Sequence, residues 1–345
     1  MADPRPLNWG ILGTGMIARK FAKAVVESAT AKLHSIGSRN AETARGFAEA
    51  FGAERSHASY KALLRDPDVE AVYISLPNHM HAEWTARTAS AGKHVLCEKP
   101  FTVNEAEARN TLDTVRKSRV FFMEAFMYRC HPQTKMFVDL IKDGAIGEVR
   151  LIHASFAYDM GLNYENIRLS KPAAGGGIMD VGCYTLSMCR LIAGAARNNP
   201  FQNPSTIRGV AHIGEISQVD QQAAAVLKFP GGIVAQVSAA TQVACDNSLR
   251  VYGSGGSLTV PIPWAPPEGT TSLTLKSKDR ETRAIEIEST GSLYTYEIDL
   301  LAQCIRKGDR EAPPPAMTWA DTIGNMAALD TWRREVGLLF AGERS

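Results

Sequence analysis

Residues 7–18, LNWGILGTGMIA, decide the fold of the first half of this 345-residue chain. The apolar run at 7–12 predicts a buried strand, and a helix is predicted from Met16 to about Ser28. The spacing Gly13-x-Gly15-x-x-Ala18 between them suits a tight turn that brings a helix N-terminus to a diphosphate. A plain glycine turn also fits such a motif, but its place between strand and helix favours a dinucleotide site. The predicted contacts of that site are Gly13, Thr14, Gly15, Met16 and Ile17.

The rest of the first 125 residues alternates between apolar runs and helical patterns. Strands are predicted at 32–38, 69–76, 93–99 and 119–125, and helices at 41–51, 81–91 and 104–117. Strands that alternate with helices of this length form βαβ units. We therefore predict an N-terminal Rossmann domain with a doubly wound parallel sheet.

The end of the second predicted strand indicates which dinucleotide binds. An NAD site usually carries an acidic residue there for the ribose 2′-hydroxyl, whereas this chain has Ser38 and Arg39. A hydroxyl and a guanidinium suit a 2′-phosphate, which a carboxylate would repel. The other interpretation is that Arg39 is a solvated residue leading into a helix. The absence of the acidic residue favours NADP.

Beyond residue 125, strands follow one another with few helices between them. Helices are predicted at 132–142, 294–306 and 318–340, and a glycine-rich loop followed by a helix at 175–193. Strand-like segments lie at 149–159 and between 205 and 288. Pro230-Gly231-Gly232 predicts a hairpin turn. We expect an α/β chain of two domains, since its length exceeds that of a usual single core. Residues 1–125 form the NADP-binding domain, and 126–345 an α+β substrate-binding and oligomerisation domain with a large, mostly antiparallel open sheet.

The composition excludes several classes of partner. The formal net charge is +2 and no Lys/Arg run occurs, which argues against nucleic acid and against an anionic membrane. No apolar stretch reaches the roughly 20 residues of a membrane span. The six cysteines form no C-x-x-C pair, so neither a disulfide framework nor a zinc knuckle is indicated. With no signal peptide in Met1–Pro6, we expect a cytoplasmic protein. His79 and His81 have no third ligand nearby, and no metal is predicted.

Three further motifs carry a family resemblance: PNHMH at 77–81, EKP at 98–100 and GGGIMDVGCY at 175–184. In this order they resemble the glucose–fructose oxidoreductase/inositol dehydrogenase (Gfo/Idh/MocA) family. The segments EAFMYR at 124–129 and HP at 131–132 resemble the branch of dihydrodiol and NADP-dependent D-xylose dehydrogenases. Many relatives have His at the position of Tyr184.

The resemblance has several implications for this chain. It implies a cis bond between Lys99 and Pro100, and a homodimer or higher homo-oligomer formed through the open sheet face. It also implies that one loop and one strand end meet the cofactor, through Leu76, Pro77, Asn78, His81, Glu98 and Lys99.

The motif residues suit the oxidation of a hydroxyl group. Tyr184 would act as general base, Lys99 would lower its pKa, and Asp180 would hold a neighbouring hydroxyl of the substrate. The glycines at 175–177 would let substrate approach the backbone. Met127, Phe156, Tyr158 and Trp264 are candidates for the wall of the substrate pocket, with ordinary packing as the alternative for each.

The predicted function is an NADP-dependent oxidoreductase that transfers hydride from C1 of a cyclic aldose, giving a lactone. Three alternatives remain: a trans-dihydrodiol dehydrogenase, an aldose–aldose oxidoreductase that retains NADP, and a dinucleotide-binding regulator without activity. A regulator needs neither Lys99 nor Tyr184, and both are present. An assay of NADPH formation with a panel of aldoses and diols distinguishes the enzymes.

Overall fold

The computed structural model describes residues 5–279 and 281–343 and divides into two compact units. The first unit runs to Thr102 and also contains Ala106–Cys130 and Gly291–Trp319. The second contains Val103–Glu105, His131–Thr290 and the chain from Ala320 onward. The first unit therefore includes a late segment of the chain, whereas the sequence analysis placed a single domain boundary after residue 125. The prediction about a signal peptide falls mainly on residues 1–4, outside the described residues.

Ten α-helices and fourteen strands are named in the described part of the chain, besides 3₁₀ turns at Asn78–Met80 and Ile167–Leu169 and a π-helical turn at Ile178–Gly182. The helices are α1 Met16–Glu27, α2 Ala41–Phe51, α3 Tyr60–Leu64, α4 His81–Ser90, α5 Glu105–Ser118, α6 Met127–Cys130, α7 Pro132–Lys142, α8 Cys183–Ala195, α9 Leu293–Lys307 and α10 Trp319–Glu335. The strands are β1 Leu7–Leu12, β2 Ala31–Gly37, β3 Arg55–His57, β4 Ala71–Ile74, β5 His94–Glu98, β6 Phe122–Ala125, β7 Val149–Ala157, β8 Thr206–Ile213, β9 Asp220–Lys228, β10 Val234–Ala240, β11 Leu249–Gly253, β12 Gly256–Val260, β13 Gly269–Ser277 and β14 Thr282–Ser289.

The first unit is built on a parallel sheet of order β3-β2-β1-β4-β5-β6. This is the strand order of the doubly wound dinucleotide-binding fold, as predicted. The order reverses between β1 and β4, where the loops after these two strands leave a crevice. The fold thus places its ligand crevice at the carboxyl ends of β1 and β4.

Strand β3 and helix α3 were not predicted from the sequence. The strand is only Arg-Ser-His at 55–57 and has no apolar residue, so it carries no hydrophobic pattern. Helix α3 has five residues, with the Ser59 side chain accepting from the Ala62 amide at 3.1 Å. Elements this short depend on their neighbours for stability.

Helix α9 belongs to the first unit although it lies near the end of the chain. Leu301 is buried in the same apolar core as Phe21 of α1. The hydroxyls of Ser28 and Thr30 donate to Asp299 of α9 at 2.7 and 2.6 Å. These contacts hold α9 against α1 and explain the return of the chain to this unit.

The second unit is built on a sheet of order β14-β13-β12-β11-β7-β10-β9-β8. The pair β7–β10 is parallel and the other named pairs are antiparallel, so the prediction of a mostly antiparallel sheet is confirmed. The turn 230–232 joins β9 to β10 as a hairpin.

A π-helical turn, Ile178–Gly182, leads directly into α8. The stretch Ile178–Ala195 has 18 residues and is long and apolar enough to cross a membrane by length and composition, although it is shorter than the roughly 20 residues sought in the sequence. Of this stretch, 94% is buried inside the protein. It is the central helix of the second unit.

Helix α10 ends earlier than predicted. Gly337 has φ +74°, and its amide donates to the Arg334 carbonyl at 3.1 Å. The Leu338 amide then donates to the Arg333 carbonyl at 2.8 Å. This is a glycine-dependent helix C-terminus, and it stops the helix that the sequence pattern extended to 340.

Candidate active site

The N-terminus of α1 has the geometry of a phosphate cradle. A Cβ added to Gly15 would have no atom within 4 Å, and no side chain caps the helix. Its first amides are therefore available to an anion. Gly13 has φ +105°, and a Cβ there would lie 2.9 Å from Ser75 Oγ, so only glycine fits this turn. These features fit the diphosphate of a dinucleotide.

The other predicted cofactor residues of the first unit lie at the same edge of its sheet. They follow the carboxyl ends of β2, β4 and β5, as ligand residues do in open α/β sheets. Their positions are Ser38 and Arg39 after β2, Leu76, Pro77, Asn78 and His81 after β4, and Glu98 and Lys99 at the end of β5.

Ser38 and Arg39 stand between β2 and α2. The Ser38 side chain is buried and its hydroxyl accepts from the Asn40 amide at 3.3 Å, whereas Arg39 is exposed. Tyr60, which the sequence did not single out, contacts Arg39: burial raises the pKa of Tyr60, and the guanidinium opposes that rise. Tyr60 therefore gives Arg39 a neutral hydroxyl partner, and the positive charge is not cancelled there.

His81 is buried and has contacts on both ring nitrogens. Nδ1 lies 2.8 Å from the Pro100 carbonyl and Nε2 lies 2.7 Å from the Leu76 carbonyl. Two carbonyl acceptors favour the charged ring, but burial has the larger effect and lowers the pKa of His81 to about 4. His81 thus joins the loop after β4 to the residue that follows Lys99.

Glu98 ends β5, and Lys99 follows it. The Tyr73 hydroxyl donates to the buried Glu98 carboxylate, and the Lys99 amide donates to its other oxygen at 3.3 Å. The bond between Lys99 and Pro100 is cis, as predicted. The Lys99 side chain is half-buried.

In the second unit, Tyr184 belongs to an aromatic cluster. Its ring meets Phe156 edge to face at a centroid distance of 5.1 Å and Trp264 at 6.1 Å. Phe156 and Trp264 stack on each other at 5.6 Å with 9° between their planes. Trp264 is fixed by an Nε1 donation to the Ser155 carbonyl at 2.8 Å. Two of the four predicted pocket-wall residues therefore contact Tyr184.

Asp180 lies in the π-helical turn, four residues before Tyr184. Its Oδ2 accepts from the Tyr158 hydroxyl and from Arg168 Nε, the latter at 3.1 Å. Burial and the Asp180 charge raise the pKa of Tyr158, so its hydroxyl stays protonated and donates. Met127, the fourth wall candidate, lies on α6 of the first unit.

The glycine run 175–177 is required by the protein's own atoms rather than by an approaching substrate. A Cβ on Gly175 would lie 2.5 Å from the Arg168 carbonyl oxygen. Gly176 has φ +106°, and a Cβ there would lie 2.2 Å from Asp220 Oδ1. The expectation that substrate approaches these glycines is therefore corrected, because side-chain and backbone atoms already occupy that space.

Asp220 is a buried carboxyl group that the sequence analysis did not identify. Its Oδ2 accepts from the Ile178 amide at 2.7 Å, at the start of the π-helical turn. Burial raises the pKa of Asp220 to about 7, although this amide and the Arg333 charge oppose the rise. It supports the helical segment that carries Asp180 and Tyr184.

Among residues 5–279 and 281–343, one group of potential metal ligands lies close together: His34, Asp66 and Asp68. Arg55 already pairs with both carboxylates, at 2.7 Å from Asp66 and 2.8 Å from Asp68. His57 Nε2 is also 3.1 Å from Asp66. These contacts make the group an ion-pair network of the β2–β3 edge.

Arg168, Tyr60 and Asp220 are the site residues that sequence reasoning missed. None belongs to a quoted motif, and each reaches its partner across a long stretch of chain. The sequence offered a signal only for Asp220, since it is the one acidic residue of β9 and stands shortly before the apolar run Ala223–Leu227.

Comparison with known proteins agrees with both units. The model of an oxidoreductase family with an NAD-binding Rossmann fold matches residues 7–126, and the GFO/IDH/MocA C-terminal domain matches residues 135–259. The chain is 32% identical to D-xylose 1-dehydrogenase (NADP(+)) 2 of Haloferax volcanii, over 92% of this chain and 96% of that protein.

Two further similarities cover nearly the whole chain. Trans-1,2-dihydrobenzene-1,2-diol dehydrogenase of Mus musculus is 29% identical over 98% of this chain and 99% of its own length. A 3-ketoreductase from Actinomadura kijaniata, solved with NADP and TDP-benzene, superposes with a TM-score of 0.86 at 27% identity, covering 96% of this chain and 98% of that one. The chain belongs to the GFO/IDH/MocA family of oxidoreductases.

Proposed function

We propose that this protein is an NADP-dependent dehydrogenase that oxidises a cyclic aldose at C1 to the lactone. The observation that carries the proposal is Tyr184, a tyrosine held by Phe156 and Trp264 four residues after Asp180. Aromatic faces suit the apolar faces of a sugar ring, and a phenol oxygen suits removal of the hydroxyl proton.

Cofactor binding is supported by the uncapped N-terminus of α1 and by Ser38 and Arg39 after β2. The amides at Gly15 and Met16 would hold the diphosphate, and Arg39 with Ser38 would hold the 2′-phosphate. The name of the Haloferax volcanii relative specifies NADP, and the Actinomadura kijaniata structure contains NADP. When bound, the nicotinamide supplies the hydride acceptor.

Side chains of the protein must accept the proton of the substrate hydroxyl. A tyrosine has an ordinary pKa near 10, so a neighbouring cation is needed for it to act as a base at neutral pH. We assign that role to Lys99. Asp180, four residues before Tyr184, orients a second hydroxyl of the substrate. The substrate hydroxyl gives its proton to Tyr184 as hydride leaves the same carbon.

Replacement of Tyr184 by Phe tests the proposal. Tyr184→Phe keeps the ring and removes only the phenol oxygen, so kcat for NADPH formation should fall by about 10²–10⁴-fold. The dissociation constant of NADP should hardly change. Tyr252→Phe, a half-exposed tyrosine on β11, is the control and should keep full activity. Turnover of Tyr184→Phe near that of the wild type on the best substrate would show that another residue is the base.

The second candidate is a trans-dihydrodiol dehydrogenase. The name of the Mus musculus relative and the aromatic cluster of Phe156, Tyr184 and Trp264 favour it. The same base would act on a cyclohexadiene diol, giving a catechol. Measuring kcat/KM for aldoses and for trans-dihydrodiols in one assay separates the two.

A further inference from the structure

Arg168 is held in place by the glycine motif. Its carbonyl accepts from the Gly176 amide at 2.8 Å, and its own amide donates to the Asn166 side chain at 3.0 Å. Gly175 has no side chain and so lets the Arg168 carbonyl pack against it. The run that begins the Asp180 helix therefore also fixes the position of Arg168.

The guanidinium of Arg168 uses only part of its hydrogen-bonding capacity within the second unit. Nε donates to Asp180 Oδ2 at 3.1 Å, an oxygen that also accepts from Tyr158. The Arg168 side chain remains 42% exposed, whereas that of Asp180 is 14% exposed. The guanidinium also contacts the Tyr158 hydroxyl, and this corner therefore exposes a guanidinium more than a carboxylate.

Donors of this kind select a particular ligand chemistry. A guanidinium edge matches the two oxygens of a carboxylate or a phosphate, and such charge-assisted bonds are about twice as strong as neutral ones. A neutral sugar offers only hydroxyl oxygens there, which bring neither the opposite charge nor the paired oxygens. Arg168 joins through Asp180 to the segment that carries Tyr184, so both can act on one substrate molecule.

We propose that Arg168 binds an anionic group of the sugar, and that the preferred substrates are sugar acids or sugar phosphates. This inference rests on the proposed dehydrogenase function and names its substrate class. The reaction at C1 is unchanged: two electrons and one hydrogen leave the carbon as hydride for NADP, and the hydroxyl proton goes to Tyr184. The carboxylate or phosphate is not altered.

The test measures kcat/KM of the wild-type protein, with NADP as cofactor, for glucose, glucuronate and glucose 6-phosphate. We expect kcat/KM for one of the two anions to exceed that for glucose by about 10- to 100-fold. Arg168→Gln should abolish this preference through a higher KM for the anion, and Arg168→Lys should retain part of it. The control is Arg150→Gln, because Arg150 is a 69% exposed arginine on β7.

The following outcomes test the Arg168 inference and the proposed function separately. Equal or better use of glucose by the wild type overturns the inference. So does an equal loss for all three sugars in Arg168→Gln, since Arg168 would then only position Asp180. If no sugar reduces NADP, the proposed function fails. Calorimetric binding of the two anions in the presence of NADP still decides the inference: tighter binding to wild type than to Arg168→Gln supports it, and equal binding refutes it.

Discussion

Arg39 is the side chain on which the choice of nicotinamide cofactor depends in our proposal. It is exposed at the end of β2, and its partner Tyr60 is neutral. Arg39→Ala should weaken NADP binding by about 10- to 100-fold and leave NAD within about twofold, because NAD has no 2′-phosphate. Titration of both cofactors measures this. Arg45→Ala, on the exposed side of α2, is the control, and a similar loss for both cofactors contradicts the assignment.

Asp220 gives a second expectation for a single residue, concerning the free energy of unfolding. Its folded pKa of about 7 lies above the ordinary aspartate value of 3.8, so the folded state holds the proton more tightly. Stability should fall as pH rises from about 4 to 7 and then level off. The Asn side chain cannot ionise, so Asp220→Asn should lack this contribution to the loss of unfolding free energy between about pH 4 and 7. Urea unfolding at pH 5 and pH 8 measures it, and identical pH dependence in both proteins argues against the raised pKa.

At the scale of the element, the segment 175–195 combines a glycine run, a π-helical turn and a buried helix. Gly176→Ala should destabilise the protein more than Gly52→Ala does. Both have positive φ, which costs a non-glycine residue about 1–2 kcal/mol. Only Gly176 would also place a Cβ against Asp220, since Gly52 has no atom within 4 Å of that position. Urea unfolding of the two variants gives the comparison, and equal losses would exclude a role for the Asp220 contact.

The same segment shows what the sequence could and could not predict. A long apolar pattern near 175–193 predicts a helix because the signal is local and periodic. The π-helical turn and Asp220 below it depend on a contact between residues 42 apart, which no local pattern records. The strand β3 escaped prediction for a related reason, because parallel pairing with β2 stabilises it rather than its own composition. The cofactor turn was predictable because its glycines have local backbone requirements.

At the scale of the whole molecule, the outer face of the eight-stranded sheet exposes apolar side chains. Val210 is 74% exposed and Val226 52% exposed on the paired strands β8 and β9. A hollow of about 360 Å³ is lined by Val210 and mainly by small residues such as Ala224, Ser238 and Ala240. Apolar surface of this kind is typical of an interface. We propose, with the family resemblance, that a second copy of the chain covers it.

The double variant Val210→Asp/Val226→Asp should therefore shift the protein towards the monomer, because each charge would have to be buried without a partner. Light scattering after size-exclusion chromatography measures the mass. Val26→Asp, at a 61% exposed position on α1, is the control and should leave the mass unchanged. A wild-type monomer at micromolar concentration, or a dimer that the double variant preserves, contradicts this arrangement.

The late return of the chain through α9 has a consequence for biosynthesis. Leu301 and its neighbours complete the apolar core around Phe21, and Asp299 supplies the acceptor for Ser28 and Thr30. Until residue 307 has left the ribosome, the first 130 residues lack the helix that covers this core. The first unit therefore cannot finish folding until most of the second has also been translated. A nascent chain paused before α9 would expose an apolar surface of the kind that chaperones bind.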